Sequence, residues 1–165
     1  MDDIINKGHT IQVTVDDGSI LWTNANTYEL KQFHFHTPSE QTIDGTHMRI
    51  ETPFVHQSAG EKLAVVGVLV QQGPENANLA ELITHFPTEK KETKHAADIK
   101  LSFKLYLPAN MAAYHYSGSV TTPPCTQNVD WMVLRDSISA SREQLAAFEA
   151  KLRKTNRPVQ PLHGS

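Results

Sequence analysis

The sequence predicts a mostly-β (α+β) domain with a few helices on its surface, and three observations predict it. The first half alternates apolar and polar residues at the two-residue period of strands. One continuous apolar run, Leu63-Ala64-Val65-Val66-Gly67-Val68-Leu69-Val70, has the length and β-branched content of a central, doubly buried strand. Two stretches alone combine helical spacing with an end signal. A length of 165 residues fits one domain, residues 1–165, with enough chain for a real core.

Taken in order, a strand near Ile4 is followed by the alternation Thr10-Ile11-Gln12-Val13-Thr14-Val15, and Asp16-Asp17-Gly18-Ser19 supplies a turn. A strand from Ile20 to Thr23 and a loop at Asn24-Ala25-Asn26 lead into a strand from Tyr28 to Phe35, which Thr37-Pro38-Ser39 breaks. Residues 47–56 read as the next strand, ahead of the apolar run. Asn78 caps a short helix through Leu79, Leu82, Ile83 and Phe86 that Pro87 ends. Thr88 to His95 reads as a charged loop. A second helix starts at Ser141 with Gln144 three positions on as a capping box, and Leu145, Phe148 and Leu152 share one face.

Composition excludes several function classes. Hydrophobic content of 39% and charged content of 20% are those of a globular chain. A net charge of −3 and a pI near 6.3 give no electrostatic case for nucleic acid. No apolar run approaches the ~18 residues of a membrane span. Met1 leads straight into Asp2-Asp3, without the basic and apolar segments of a secretory leader, and the compartment stays unassigned. The single Cys125 rules out an internal disulfide and a cysteine-rich zinc site.

The chemistry gathers in Gln32-Phe33-His34-Phe35-His36. On an extended strand His34 and His36 share a face, about 7 Å apart, while Phe33 and Phe35 point into packing. Two such imidazoles can grip a divalent metal, zinc first among them. A catalytic zinc takes three protein ligands and leaves one position open. Standing alone, the pair reads more readily as two packed or solvated histidines than as metal ligands.

It does not stand alone. With Pro38-Ser39-Glu40, the Glu51 to His56 strand, Leu63-Ala64-Val65-Val66-Gly67, Gly118-Ser119-Val120-Thr121-Thr122-Pro123-Pro124-Cys125 and Asn156-Arg157-Pro158-Val159-Gln160-Pro161-Leu162, the chain resembles the α-class carbonic anhydrases, bacterial members most closely. The resemblance implies a large twisted, mainly antiparallel central sheet and a zinc enzyme that interconverts carbon dioxide and bicarbonate. His34 and His36 match the first two zinc ligands, and Gln32 matches the group that orients the first imidazole. Thr121 matches the threonine that accepts a hydrogen bond from the metal-bound nucleophile, Glu40 the carboxylate that takes the threonine's proton, and Thr122 a neighbour at the substrate mouth. Val55, Val65 and Val120, with Trp131 beneath, match the apolar pocket wall. His9 matches the proton shuttle, a role suited to an imidazole.

The chain also departs from the pattern. The family's third ligand lies in Glu-x-His-x-x-His, and here the strand reads Glu51-Thr52-Pro53-Phe54-Val55-His56. Pro53 has no donor for zinc and removes a backbone N–H from an interior strand. His56 has the wrong parity to replace it, unless a one-residue bulge swings it round. Glu51 is expected to lose the imidazole it would orient, and Gln41 stands where relatives often carry His or Asn. Relatives carry an aromatic-rich segment before Ile4 and a last strand after Leu162. They pair the cysteine at position 125 with one in that leader, so Cys125 is expected as a free thiol. Absent end strands would expose sheet edges, predicting pairing with another copy. Bacterial relatives are typically periplasmic or secreted. Three readings stay open here: an impaired two-histidine zinc enzyme, a non-catalytic relative that uses the fold for binding, and an altered chain.

Overall fold

The computed structural model describes residues 3–15, 18–95, 103–152, 154 and 156–161. Asp16 and Asp17 of the expected turn, and Leu162 of the C-terminal stretch, lie outside the described residues.

The first hairpin joins β1 (Asp3–Asn6) to β2 (Ile11–Thr14), and Gly8 takes a φ of +86° in its turn. β3 (Ile20–Trp22) pairs with the start of β4 (Thr27–His34). A short ribbon of β5 (Thr42–Ile43) and β6 (Thr46–His47) precedes β7 (Ile50–Ser58) and β8 (Leu63–Gln72). Then come α1 (Ala77–Thr84), β9 (Thr93–His95), a 3₁₀ turn at Phe103–Tyr106, β10 (Ala113–Ser119), β11 (Gln127–Leu134), β12 (Ile138–Ala140) and α2 (Arg142–Lys151).

Ten of these strands form one sheet in the order β10-β11-β8-β7-β4-β2-β1-β9, with β3 beside β4 and β12 beside β8. Pairing is antiparallel except where β8 meets β11 and β12, so the sheet is mixed but mainly antiparallel, as expected. The apolar run becomes β8, with Ala64 to Val70 buried throughout. Its Val66, Val68 and Val70 face a core shared with Phe33, Phe35, Phe54, Leu82 and Phe148, which α1 and α2 cover. Its Val65 and Leu69 face a second cluster with Val129, Trp131 and Val133. That second face carries the candidate site.

β4 contains a bulge. Leu30 pairs with His56, but Gln32 pairs with Val55, so Lys31 is the extra residue. Its effect is a change of phase. Tyr28 and Leu30 before it, and Phe33 and Phe35 after it, all reach the helix-covered core. Gln32 and His34 are thereby turned to the opposite face.

Several boundaries differ from the sequence reading. Asn76, not Asn78, caps α1, because its side chain accepts from the amides of Asn78 and Leu79. Ser141 and Gln144 form the expected capping box. The predicted 47–56 strand begins at Ile50. His47 belongs instead to the short ribbon, whose Asp44-Gly45 turn has φ of +49° and +76°, a type I′ hairpin signal. The charged loop is partly strand, since Thr93–His95 pairs with β1. Strands β10 to β12 carry no clean alternation and were not foreseen. β10 is an edge strand of small and aromatic polar residues.

Candidate active site

His34 ends β4, and His36 sits just beyond it, paired across to Glu51. Their rings lie 4.9 Å apart, centroid to centroid, nearly perpendicular at 81°. Both line a pocket of about 230 Å³ on the second face. Gln32, two residues earlier on the same face, places Oε1 at 2.9 Å from Nδ1 of His34. A side-chain carbonyl only accepts, so Nδ1 carries the proton and the Nε2 lone pair is left for another partner. Burial, followed by repulsion from His36 and His9, pushes His34 down to about 3. Burial likewise lowers His36, against an opposing pull from Glu40. Both rings are therefore neutral at pH 7, the form that binds metals.

The pocket takes one wall from β7 and β8 (Val55, Val65), another from Val120 and Trp131, and its rim from His9, Thr121 and Thr122. The Thr121–Thr126 segment is a tight turn in which Cys125 N donates to Thr122 O at 2.8 Å and Val120 N to Thr126 O at 2.9 Å. Arg157 approaches this turn, with Nη1 at 3.5 Å from Thr121 O. Cys125 is a free thiol. Glu40 lies behind the floor, buried, with Oε2 at 3.8 Å from His36 Nε2. Among the described residues no hydrogen bond joins Glu40 to Thr121. Sequence reasoning missed Lys7, Thr10 and Gln12 on the lining. Gln12 was legible, because Ile11 and Val13 face the core and leave it on the pocket side. A wider surface groove between Thr23–Thr27 and Ser58–Lys62 holds no His, Cys or carboxylate.

Pro53 lies on the pocket floor beside the two imidazoles. β7 pairs with β8 without interruption from Ile50 to Gln57, so Glu51, Pro53 and Val55 share one face. His56 faces the other way, 1% exposed, with Nδ1 donating to the Phe54 carbonyl at 2.9 Å. The bulge that could have turned it lies on β4, not on β7. His56 thus supplies nothing to the pocket. Among the described residues no group of three or more His, Cys, Asp or Glu is arranged to hold a metal.

Glu51 finds other partners. Position 53 gives it no imidazole, yet its wholly buried carboxylate accepts from the backbone N–H of Glu40 at 2.8 Å and of Gln41 at 3.1 Å. The Gln41 side-chain amide donates to it as well. Burial, only partly offset by these donors, pushes Glu51 up to about 7.

A family model described as eukaryotic-type carbonic anhydrase matches residues 2–164. The chain belongs to the carbonic anhydrase family. It is 40% identical over 164 residues to a carbonic anhydrase of Pectobacterium carotovorum, covering 98% of this chain and 66% of that protein. It is also 40% identical to a carbonic anhydrase of Nostoc sp., covering 97% and 61%. This member of the family therefore spans a little under two thirds of those relatives' length. Its fold superposes with a TM-score of 0.92 on the α-carbonic anhydrase of Thermovibrio ammonificans, solved with the inhibitor sulfanilamide, at 38% identity over 97% of this chain and 71% of that one.

Proposed function

We propose that this pocket serves the reversible hydration of carbon dioxide to bicarbonate, as a carbonate dehydratase (a lyase) slower than a three-imidazole enzyme. The observation that carries the reading is the pair of neutral rings, His34 and His36, opening onto the apolar wall of Val55, Val65, Val120 and Trp131. A small uncharged substrate fits an apolar wall, and two neutral imidazoles on one face suit a divalent metal.

The donor set fits zinc through His34 and His36 and falls one short of the three protein ligands usual at a catalytic zinc. Bound zinc supplies the Lewis acidity that makes an attacking oxygen available near neutral pH. The chain's own residues do the rest. Gln32 holds His34 in the tautomer with a free Nε2. The valines and Trp131 hold the substrate and exclude water. Thr121 orients the attacking oxygen, with Glu40 as the carboxylate behind it and Thr122 at the mouth. His9, exposed at the rim, passes the released proton to solvent. Among the described residues β10 and β9 lie at the two edges of the sheet, which offer a second copy a place to pair.

The test measures zinc per chain after dialysis, and carbon dioxide hydration by stopped flow, in the native chain and in Pro53→His. The expected result is substoichiometric zinc and slow turnover in the first, with both rising in the second. No hydration by the native chain even in saturating zinc would overturn the reading in favour of a non-catalytic binding protein on the same fold.

A further inference from the structure

We infer that Gln41 performs, on the buried carboxylate of Glu51, the hydrogen-bonding duty that residue 53 cannot, and so acts as a positioning residue for Glu40 behind the pocket floor. The inference stands on the geometry alone and does not depend on the reaction proposed above.

Glu51 is fully buried in the middle of the sheet. A carboxylate there must be supplied with donors or it destabilises the fold. Residues 51 and 53 share a face of β7, so a donor at position 53 would be its natural neighbour, and proline supplies none. Among the described residues, three donors reach Glu51 from one short segment: the N–H groups of Glu40 and Gln41 and the Gln41 side chain. With its NH₂ group turned to Glu51, the Gln41 carbonyl accepts from the Tyr116 hydroxyl at 2.9 Å. Tyr116 in turn stacks on Trp131, ring centroids 5.9 Å apart and planes within 8°.

One amide thus bridges an acceptor on β7 and a donor on β10, which fixes its orientation. The chain Tyr116–Gln41–Glu51 ties the Trp131 wall to the floor. Because the Glu40 N–H is another of the three donors, the same tie sets where the Glu40 carboxylate meets His36. Without the Gln41 side chain, Glu51 loses a donor that nothing at position 53 can replace. With an imidazole at 53, a second donor stands within reach of the same carboxylate, and Gln41 matters less.

A double-mutant cycle tests this by thermal unfolding of the full chain, with Gln41→Leu and Pro53→His singly and together. Gln41→Leu is expected to lower the midpoint of the native chain by roughly 4–8 °C, the scale of losing a buried donor in a chain of this size. In the Pro53→His background the drop should be less than half as large. Gln41→His, which keeps an N–H for Glu51, should recover most of the loss. If Gln41→Leu fails to fold, Gln41→Asn, whose amide falls one methylene short, replaces it in the cycle. Equal drops in both backgrounds, no drop at all, or no recovery with Gln41→His would each overturn the inference.

Discussion

Pro53 stands directly across the ladder from His34. Glu51 and His36 exchange both backbone hydrogen bonds, at 3.0 and 2.9 Å, and Gln32 pairs with Val55 on the other side of the gap. The position between them joins residue 53 to residue 34, where an N–H should return to the His34 carbonyl and proline has none. One residue therefore withdraws a ring nitrogen from the pocket and a ladder bond from the strand that carries the first imidazole.

The two losses separate experimentally. Pro53→Ala restores the backbone donor alone and should stabilise the chain by about 1 kcal/mol, net of the freedom alanine adds to the unfolded state. It should leave zinc affinity unchanged. Pro53→His should add the same stability and raise zinc retention as well. Urea midpoints and elemental analysis read both quantities; a stability gain from His without one from Ala would mean that the ladder at residue 34 is not open.

His9 lies at the rim, where an imidazole can hand a proton to solvent. His9→Ala should lower the hydration rate in dilute buffer by roughly tenfold or more, within the range usual for losing a positioned proton carrier. Added imidazole buffer should restore it. A rate indifferent to both the substitution and the buffer would remove His9 from the proton path.

Burial holds His56 down to about 4, against an ordinary value of 6.5. A depressed histidine contributes stability that is present above pH 6.5 and lost as pH falls through 4, because the unfolded chain takes up the proton first. The full loss is about 3 kcal/mol. His34 and His36 shift in the same direction, also by burial. Glu51, raised from 4.5 to about 7, works oppositely: its contribution is present below pH 4.5 and lost as pH rises through 7. Three imidazoles outweigh one carboxyl, so stability should fall between pH 6.5 and 4.5. His56→Gln should flatten part of that fall in urea titrations, and an unchanged slope would contradict the burial argument.

Gly118 is required by its neighbours. A Cβ there would meet Tyr116 Cε2 at 2.9 Å and Trp131 Cδ1 at 3.0 Å, the two rings that stack along the pocket wall. Gly118→Ala should cost about 1–3 kcal/mol as overpacking and shift the indole fluorescence of Trp131. A variant as stable as the native chain would show that the stack yields freely.

What could be read in advance was whatever depends on local period and local caps. The shared face of Gln32, His34 and His36, the doubly buried β8, and the Ser141–Gln144 box all follow from spacing within a few residues. The Gln41–Glu51 contact does not, because it joins a turn to a strand ten positions away and hinges on an amide's orientation. β10 was hidden because an edge strand needs no apolar alternation. The bulge left a trace in the two successive polar residues Lys31-Gln32, between the apolar pairs Tyr28/Leu30 and Phe33/Phe35.

That extra residue at Lys31 also decouples the two ends of β4. The hairpin half, Thr27 to Leu30, can drift in composition or lean against β3 without rotating the imidazoles, whose aim is set only downstream of the kink. The strand behaves as two independently phased segments sharing one backbone, and the pocket-facing segment inherits its bearing from Phe33 and Phe35 locked in the core beneath it.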